Sequence, residues 1–536
     1  MGNHINFYLE EKTETKIFFP RRRVIILIFS MNYLNGLPLT TMTLFMVVFV
    51  ILTIVLGTIL AVFRKKLKGK KIRIMVGWGS TMLLVFIILF MTGTFGRFVN
   101  VEKVDSKEYT KSELVEDLRQ VENCIFRENP FIFTDEEEVK SAFADTYGQI
   151  EEGMTELEFY RLINPLVVKV NCGHTNLSIS RALQKNREET AVYFPLKVTL
   201  VDNEFYFLEG SNSSGIMAGD QLKSINGKSS SQILQILLDN ISSDGDNEAK
   251  KRYIISKHFN NKFFDFVDNS SSFDLEYVDS AGNLKKTRLE AEYRREFNTS
   301  AWELHFNEYQ DGNHYEGKVF DDYAVLTVRV FMSEKNEKFT SFLEDFFLSL
   351  KENHISKLLI DLRGNFGGSP DLSKNLLSYL VSKETVYLTG ELPFLQNLLG
   401  FKRPIIPAEN RFNGELLVLT DGAVFSTAGH FCALVKYHKL GTLLGSTTAG
   451  TFVCTDSSKD TVLANTRLCL HYSTLAYQVA VEGFSINEGI EPDVKVEYDI
   501  DSILNNRDIQ MEHALQYLRE ESLNKECKEK VASVIG

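Results

Sequence analysis

The stretch LLVLTDGAVFSTAGHFCALVKYHKLGTLLGSTTAGTF, residues 416–452, predicts a strand, a tight turn, a helix and a second strand. Its apolar run Leu416–Leu419 ends at an Asp-Gly pair, which is typical of a buried strand. Ser426 follows at the turn, just before the helical segment Ala428–Tyr437. A serine at such a turn is exposed, and N–H groups at the helix start can face a developing oxyanion. The alternative is that Ser426 only caps the helix.

A glycine-rich turn lies upstream of this stretch. The buried strand predicted at Lys357–Ile360 leads into DLRGNFGGS, residues 361–369, and then into a helix at Asp371–Val381. Two strand–turn–helix units in succession predict an α/β core. The turn has neither the P-loop ending nor the dinucleotide-binding spacing. We instead expect an N–H near Gly367-Gly368 to lie opposite the N–H of Thr427, as an oxyanion hole requires.

Length and charge bound the remaining possibilities. The chain has 536 residues, enough for two to four domains, and a formal net charge of −12. Because no sustained basic stripe occurs outside the amino-terminal region, nucleic acid is not the expected partner. The six cysteines form no paired or Cys/His metal-binding spacing, so we predict no metal site and no cofactor.

Two apolar runs near the amino terminus, Leu44–Phe63 and Ile74–Phe95, are each long enough to cross a bilayer as a helix. The basic loop Arg64–Arg73 between them should stay cytoplasmic. The segment 44–95 is therefore predicted to be a transmembrane hairpin, which follows an amino-terminal segment, 1–43. Everything after Gly96 is then expected to be extracytoplasmic, with the membrane as a partner.

One feature conflicts with this topology. Arg21-Arg22-Arg23 would itself prefer the cytoplasm, and the apolar run after it, Val24–Phe29, is too short to span. Translation could start at Met31 or Met42, or the segment could be reentrant or signal-like. The sequence leaves both explanations open.

The segment 104–180 predicts a helical subdomain that ends at a Gly-His turn. Several capped helix starts occur in it, and Gly173-His174 then leads into the alternating strand Asn176–Ser180. A histidine behind a flexible glycine, between two elements, is placed where its side chain can reach a cleft. The alternative is an ordinary turn histidine.

The segment 190–245 predicts a small β module. Within Gly215–Lys228 a Gly-Asp pair opens a strand, and Asn226-Gly227 is a type I′ turn signal. Such a module can accept a peptide by strand addition, or it can be a packing domain that binds nothing. Residues 250–536 are expected to form the α/β core.

These motifs together are similar to those of a known family. LLIDLRGNFGG, residues 358–368, with the stretch 416–450, resembles the core of the C-terminal processing (tail-specific) serine peptidase family. Gly215–Lys228 resembles the signature of that family's PDZ domain. The similarity runs from about Ser106 to the carboxyl terminus. It implies a crotonase-like α/β core with a PDZ-like insert.

The resemblance points to one branch of the family. In the Ser/Lys branch a lysine follows the nucleophile, but Thr451 stands at its position, and Gly429 replaces an acidic residue. The branch that includes the tricorn core instead takes a histidine from an upstream turn, and Gly173-His174 matches that turn. The resemblance therefore implies that Ser426 is the nucleophile and His174 the general base.

The same resemblance implies an acid and an oxyanion hole. An acid near the carboxyl-terminal turn, residues 489–493, should orient the histidine, which makes Glu482 and Glu488 the candidates. Gly367 or Gly368, with the N–H of Thr427, would hold the oxyanion.

The sequence thus predicts a membrane-anchored serine peptidase that cleaves peptides or protein tails outside the cytoplasm. Its fold class is α/β: a crotonase-like core with a helical subdomain and a PDZ-like insert, preceded by two transmembrane helices. The alternative is a catalytically inactive, peptidase-like binding or sensor protein. A weaker variant makes His430 the base, because it follows Ser426 by one helical turn.

Overall fold

The computed structural model describes residues 107–294, 314–332, 336–390, 392, 400 and 402–519. The transmembrane helices predicted at 44–63 and 74–95, and the segment 1–43, lie outside these residues. Among the described residues, none of the helices has the length and apolar character that crossing a bilayer requires. The predicted fold class, with its two membrane-spanning helices, is therefore wrong; the structure is a mixed α/β fold. The extracytoplasmic location is not tested by the described residues and stays a prediction.

The physical reason is visible in the longest described helices. Lys111–Glu128 and Ala249–Phe266 have 18 residues each, and both carry several charged residues. Charged residues at this density do not suit a helix that crosses a bilayer.

The first described region is helical, with three short strands. Capping boxes at Thr110 and Thr155 fix two helix starts, because each threonine and the glutamate three residues later satisfy each other's N–H groups. The helices are α1 (Lys111–Glu128), α2 (Glu136–Tyr147), α3 (Glu156–Val168) and α4 (Arg181–Thr190); the strands are β1 (Glu108–Tyr109), β2 (Met154–Thr155) and β3 (Asn176–Ser178).

A six-stranded antiparallel sheet follows: five strands lie in the order β4-β5-β6-β8-β9, and the sixth, β7, is paired to β6. Asn226 and Gly227 both have positive φ, 46° and 78°, as the predicted type I′ turn requires. The sheet continues to Glu290, beyond the predicted boundary at 245. Its elements are β4 (Val198–Val201), β5 (Glu204–Phe207), β6 (Gln221–Ile225), β7 (Lys228–Ser229), α5 (Ser230–Asp239), α6 (Ala249–Phe266), β8 (Ser272–Val278) and β9 (Leu284–Glu290).

The second six-stranded path, β10-β11-β12-β14-β15-β20, forms the core sheet. Only the pairing of β10 with β11 is antiparallel, and the other four pairings are parallel. The elements are β10 (Tyr315–Val319), β11 (Ala324–Val328), α7 (Asn336–Glu352), β12 (Lys357–Asp361), α8 (Pro370–Ser378), β14 (Glu415–Thr420), α9 (Thr427–Tyr437), β15 (Thr442–Gly445) and β20 (Val494–Lys495).

The register of this sheet decides where the site forms. Strand β12 lies beside β14 with Asp361 opposite Leu419, and the N–H of Leu362 donates to Leu419 O at 3.1 Å. Both strands are buried, which explains their unbroken apolar runs. Because parallel neighbours end at the same edge, the turns after β12 and β14 lie side by side.

The remaining strands bring the helical region to the core. The order β13-β19-β16 forms a three-stranded sheet, and β18 pairs antiparallel with β3 through Leu470 and Leu177. The Gly-His turn directly precedes β3, so this pairing holds it beside the carboxyl-terminal part of the chain. The elements are β13 (Leu388–Thr389), β16 (Val453–Asp456), β17 (Lys459–Val462), β18 (Cys469–Tyr472), β19 (Leu475–Val479), α10 (Ile500–Leu504) and a helix over 509–519.

Candidate active site

Ser426 lies on a strained turn between β14 and α9. Its φ and ψ are 53° and −125°, a conformation that L residues rarely adopt, and its side chain makes no capping hydrogen bond. A Cβ on Gly367 would lie 2.9 Å from Ser426 Cβ, so only glycine fits there. A serine held in this way on a strand-to-helix turn resembles a nucleophile elbow, and simple helix capping does not account for it.

His174 meets Ser426 across 252 residues of sequence. Its Nε2 atom lies 3.1 Å from Ser426 Oγ, within hydrogen-bond distance. The histidine sits in a tight turn in which the N–H of Thr175 donates to Cys172 O at 3.0 Å. Its ring also lies against that of Phe425, with centroids 4.6 Å apart. The side chains of Ser426 and His174, both chosen from the sequence, therefore lie next to each other.

The surroundings of His174 favour its neutral form. Burial lowers its pKa below the ordinary histidine value; Asp456 opposes this shift, while Lys250 and His471 act in the same direction as burial. Its Nδ1 atom is buried and has no hydrogen-bond partner among the described residues. A neutral imidazole with Nε2 facing a hydroxyl can accept that proton, which is the task of a general base.

Neither predicted glutamate reaches this histidine. Glu482 and Glu488 are both exposed, and the described residues show no hydrogen bond from either to His174. Asp456, at the end of β16, is instead the acid whose charge acts on the imidazole. Sequence reasoning missed Asp456, since its only local signal is a position at the end of a strand.

Of the two glycines predicted to supply an oxyanion donor, the structure leaves one N–H group without a partner. The N–H of Gly367 donates to Asn365 Oδ1 at 2.8 Å, so it is already used. The N–H groups of Gly368 and Thr427 have no recorded partner in the described part of the chain. Thr427 Oγ1 donates to Gly368 O at 2.8 Å, which ties the two turns together. The geometry thus leaves Gly368 and Thr427 as the two backbone donors beside Ser426.

Two polar residues, Asn365 and Asp421, hold these turns. Asn365 is fully buried; its Nδ2 donates to Val328 O at 2.9 Å while its Oδ1 accepts from Gly367. The Asp421 carboxylate accepts from the N–H groups of Gly364 and Ala423, and burial raises its pKa. These bonds replace the regular ladder where β12 and β14 end.

Comparison with known proteins gives this arrangement a family. Residues 322–496, which include the core sheet, both turns and Ser426, match the model of Peptidase family S41. This part of the chain is a Peptidase family S41 domain. The resemblance seen in the sequence is thereby confirmed at the level of the family, whereas the Ser/His branch remains a prediction.

Two curated relatives support the S41 assignment. A tricorn protease homolog of Saccharolobus solfataricus is 29% identical over 182 residues, covering 33% of this chain and 15% of the relative. A tricorn-like protease C-terminal subunit of Sulfurisphaera tokodaii is 26% identical over 186 residues, covering 33% and 19%. The chain thus spans less than a fifth of the length of either relative.

Solved structures share the fold over a longer stretch than the S41 match. Mature CPAF complexed with lactacystin is 15% identical and superposes with a TM-score of 0.57, covering 77% of this chain and 99% of that one. Mature CPAF alone gives a TM-score of 0.54 at 15% identity, with coverage of 74% and 94%. At this identity the likeness concerns the fold only.

Other chemically active side chains lie near the S41 serine. His430 is buried on α9, burial lowers its pKa to about 3, and its N–H donates to Ser426 O at 3.0 Å. The described contacts include no bond from its ring to Ser426 Oγ, which does not support His430 as the base. Cys454 Sγ lies 4.0 Å from that oxygen. Thr451, which stands at the position of the lysine base in the Ser/Lys branch, donates its Oγ1 hydroxyl to Val453 O at 2.6 Å.

Over the ranges that the structure describes, no group of three or more His, Cys, Asp or Glu side chains is arranged to hold a metal ion.

Proposed function

We propose that this chain is a serine peptidase that cleaves peptides or protein tails through an acyl-enzyme. The observation that carries the proposal is the 3.1 Å approach of His174 Nε2 to Ser426 Oγ. A serine hydroxyl is a weak nucleophile at its free pKa, so it needs an adjacent base, and a neutral imidazole at this distance can act as one.

The reaction follows from the positions of these groups. As His174 Nε2 accepts the hydroxyl proton, Ser426 Oγ attacks the scissile carbonyl carbon. The negative charge that develops on the carbonyl oxygen is stabilised by the N–H groups of Gly368 and Thr427. The protonated imidazole then donates its proton to the leaving amine, and the peptide C–N bond breaks. Water, activated by the same histidine, hydrolyses the ester.

Backbone donors suit this purpose because they are fixed before the substrate arrives. Loss of one oxyanion donor in a serine hydrolase costs roughly 100- to 1000-fold in kcat. Here Gly368 is held by the strand-like pairing with Phe331, and Thr427 by the start of α9. Neither donor needs to reorganise during the reaction.

Covalent labelling tests this function directly. A fluorophosphonate probe should modify Ser426, identified by mass spectrometry of the labelled peptide, and the modified protein should lose turnover of an unstructured peptide. His174→Gln should slow the labelling, because the serine then lacks its base. A folded protein that neither reacts with the probe nor cleaves any peptide in a library would favour the peptidase-like binding protein instead.

The β module supports a preference for extended peptides. Its sheet ends at β4 and β9, and such edges can accept an additional strand. Binding of a peptide with a free carboxyl end should therefore weaken when the module is altered. Fluorescence polarisation with a labelled tail peptide, using Ser426→Ala to prevent cleavage, measures this.

A further inference from the structure

The loop between α5 and α6 is buried to an unusual degree. We call residues 242–250 the connector. It has no regular structure over most of its length, yet Ser243, Asp244 and Asn247 are all buried. A buried loop must satisfy its polar groups within the protein, so the partners of these side chains show what the connector holds.

The connector forms hydrogen bonds to the peptide groups on both sides of Gly173. Asp244 Oδ1 accepts from the N–H of Gly173 at 2.6 Å, and Lys250 Nζ donates to Gly173 O at 2.6 Å. Two residues before Gly173, Asn171 O accepts a hydrogen bond from the N–H of Gly245 at 2.9 Å. Since His174 directly follows Gly173, these bonds fix the backbone from which the imidazole extends.

The same connector also holds the turn that packs on the nucleophile. Asn247 Nδ2 donates to Thr448 O at 2.9 Å and to Ala449 O at 2.8 Å. Gly450 follows, and a Cβ added there would lie 2.9 Å from Ser426 N. The connector is therefore bonded both to the turn that carries His174 and to the turn that packs on Ser426. None of its side chains contacts the reacting atoms.

Burial makes the charged forms of two ionisable groups in the connector less favourable. Burial raises the pKa of Asp244 to about 7 and lowers that of Lys250 to about 8. Asp244 Oδ2 is buried without a hydrogen-bond partner in the described structure. Apolar side chains would fill the same space at lower cost, so the two hydrogen bonds to Gly173 need a reason beyond packing.

We propose that Asp244, Asn247 and Lys250 are positioning residues that hold the His174 turn and the Thr448–Gly450 turn in register at Ser426. The inference rests on the proposed function for its kinetic consequence, but its geometric consequence stands independently. The connector lies between α5 and α6 of the β module, so a single loop links that module to the base and to the nucleophile.

Removal of either hydrogen bond to Gly173 tests the role. Asp244→Ala deletes the acceptor and should lower kcat by roughly 10- to 100-fold with little change in KM, since a displacement of about 1 Å costs as much. Asp244→Asn keeps the acceptor oxygen and should retain nearly all of the activity. Lys250→Met keeps the aliphatic stem, deletes the donor and should resemble Asp244→Ala. If Asp244→Ala does not fold, Lys250→Met carries the same test.

Asp117 provides a matched control. It is fully buried, and its carboxylate accepts from the N–H groups of Asn465 and Thr466 at 2.9 and 2.8 Å, neither of which belongs to the Gly173 turn. Asp117→Ala should lower thermal stability as Asp244→Ala does, but should leave kcat unchanged at temperatures where the protein is folded. A purely structural role for the connector would make the two variants alike in both measurements.

A readout that does not need activity separates this inference from the proposed function. In NMR of isotope-labelled histidine, the His174 signal is assigned by its absence from His174→Gln. It should shift or broaden in Asp244→Ala and Lys250→Met, and stay in place in Asp244→Asn and Asp117→Ala. Unchanged His174 signals and unchanged kcat in both connector variants would overturn the positioning role. An inactive wild type whose His174 signal still responds only to the connector would overturn the proposed function and support the positioning role.

Discussion

The ring of Phe425 lies against the ring of His174, with centroids 4.6 Å apart and planes inclined by 30°. Phe425 directly precedes Ser426, so the turn that carries the nucleophile also supports the base. The N–H of Phe425 donates to Asn365 O at 3.1 Å, and Lys250 Nζ lies 4.4 Å from the ring centroid. The separation of Ser426 and His174 is therefore set largely by contacts of one buried aromatic side chain.

Gly173 is the first place to disturb this contact. A Cβ there would lie 2.5 Å from Phe425 Cζ and 3.0 Å from Asp244 Oδ1, closer than atoms can pack. Gly173→Ala should displace His174 and lower kcat/KM for a peptide by about 100-fold or more. Gly148→Ala, whose Cβ would meet only Asp145 O at 3.5 Å, is the control and should retain full activity. Equal activity in the two variants would mean that Phe425 does not fix the base.

Asn365 supports the second prediction. Asn365→Ala removes the acceptor of Gly367 N–H and the donor to Val328 O. Each buried group left without a partner costs about 1–3 kcal/mol, so the free energy of unfolding should fall by several kcal/mol. Because the turn that presents the N–H of Gly368 then loosens, kcat should fall more than KM changes.

Urea unfolding and peptide kinetics measure both effects of Asn365→Ala. Asn353→Ala is the control, since its Nδ2 donates to Ser349 O at 2.8 Å on the surface and its removal should cost little. A large loss of stability with unchanged kcat would show that Asn365 supports the fold but not the oxyanion donors.

Local pattern made Ser426, His174 and the glycine turn candidates, and the resemblance to the peptidase family assigned their roles. Each lies at a junction between elements, and such junctions leave a local signature in sequence. The turn after β12 also follows from βαβ alternation, because adjacent parallel strands end at one edge. These predictions needed no knowledge of which distant segments meet.

The rest depends on contacts between distant segments. Gly367 and Gly368 both have positive φ, 102° and 128°, and only the bond from Asn365 distinguishes their N–H groups. Glu482 and Glu488 were chosen by position along the chain, whereas Asp456 is brought near His174 by the pairing of strands. The connector carries no motif, because its role lies in side-chain bonds to Gly173 and Thr448. The local sequence does not indicate these contacts between distant segments.

The pH dependence of activity gives a third prediction. His174 acts as a base only when neutral, and burial, with Lys250 and His471, lowers its pKa from 6.5 although Asp456 opposes the shift. The acidic limb of kcat/KM should therefore lie below pH 6.5, with activity lost only as the pH falls through the lowered value. It should be measured with a peptide that does not titrate in this range.

Asp456→Asn gives the matched variant for this measurement. Removing the anion removes the influence that favours the imidazolium, so the acidic limb should move to still lower pH. A limb at or above pH 6.5 in the wild type, or a limb that rises in Asp456→Asn, would contradict the electrostatic account of His174.

The most direct measurement of the central claim is a double-mutant comparison at Ser426 and His174. Ser426→Ala and His174→Ala should each lower kcat/KM for an unstructured peptide by at least about 1000-fold. The double variant should be little worse than either single one, because the two groups act as a unit. Additive losses in the double variant, or full activity in His174→Ala, would show that these residues do not form one catalytic site.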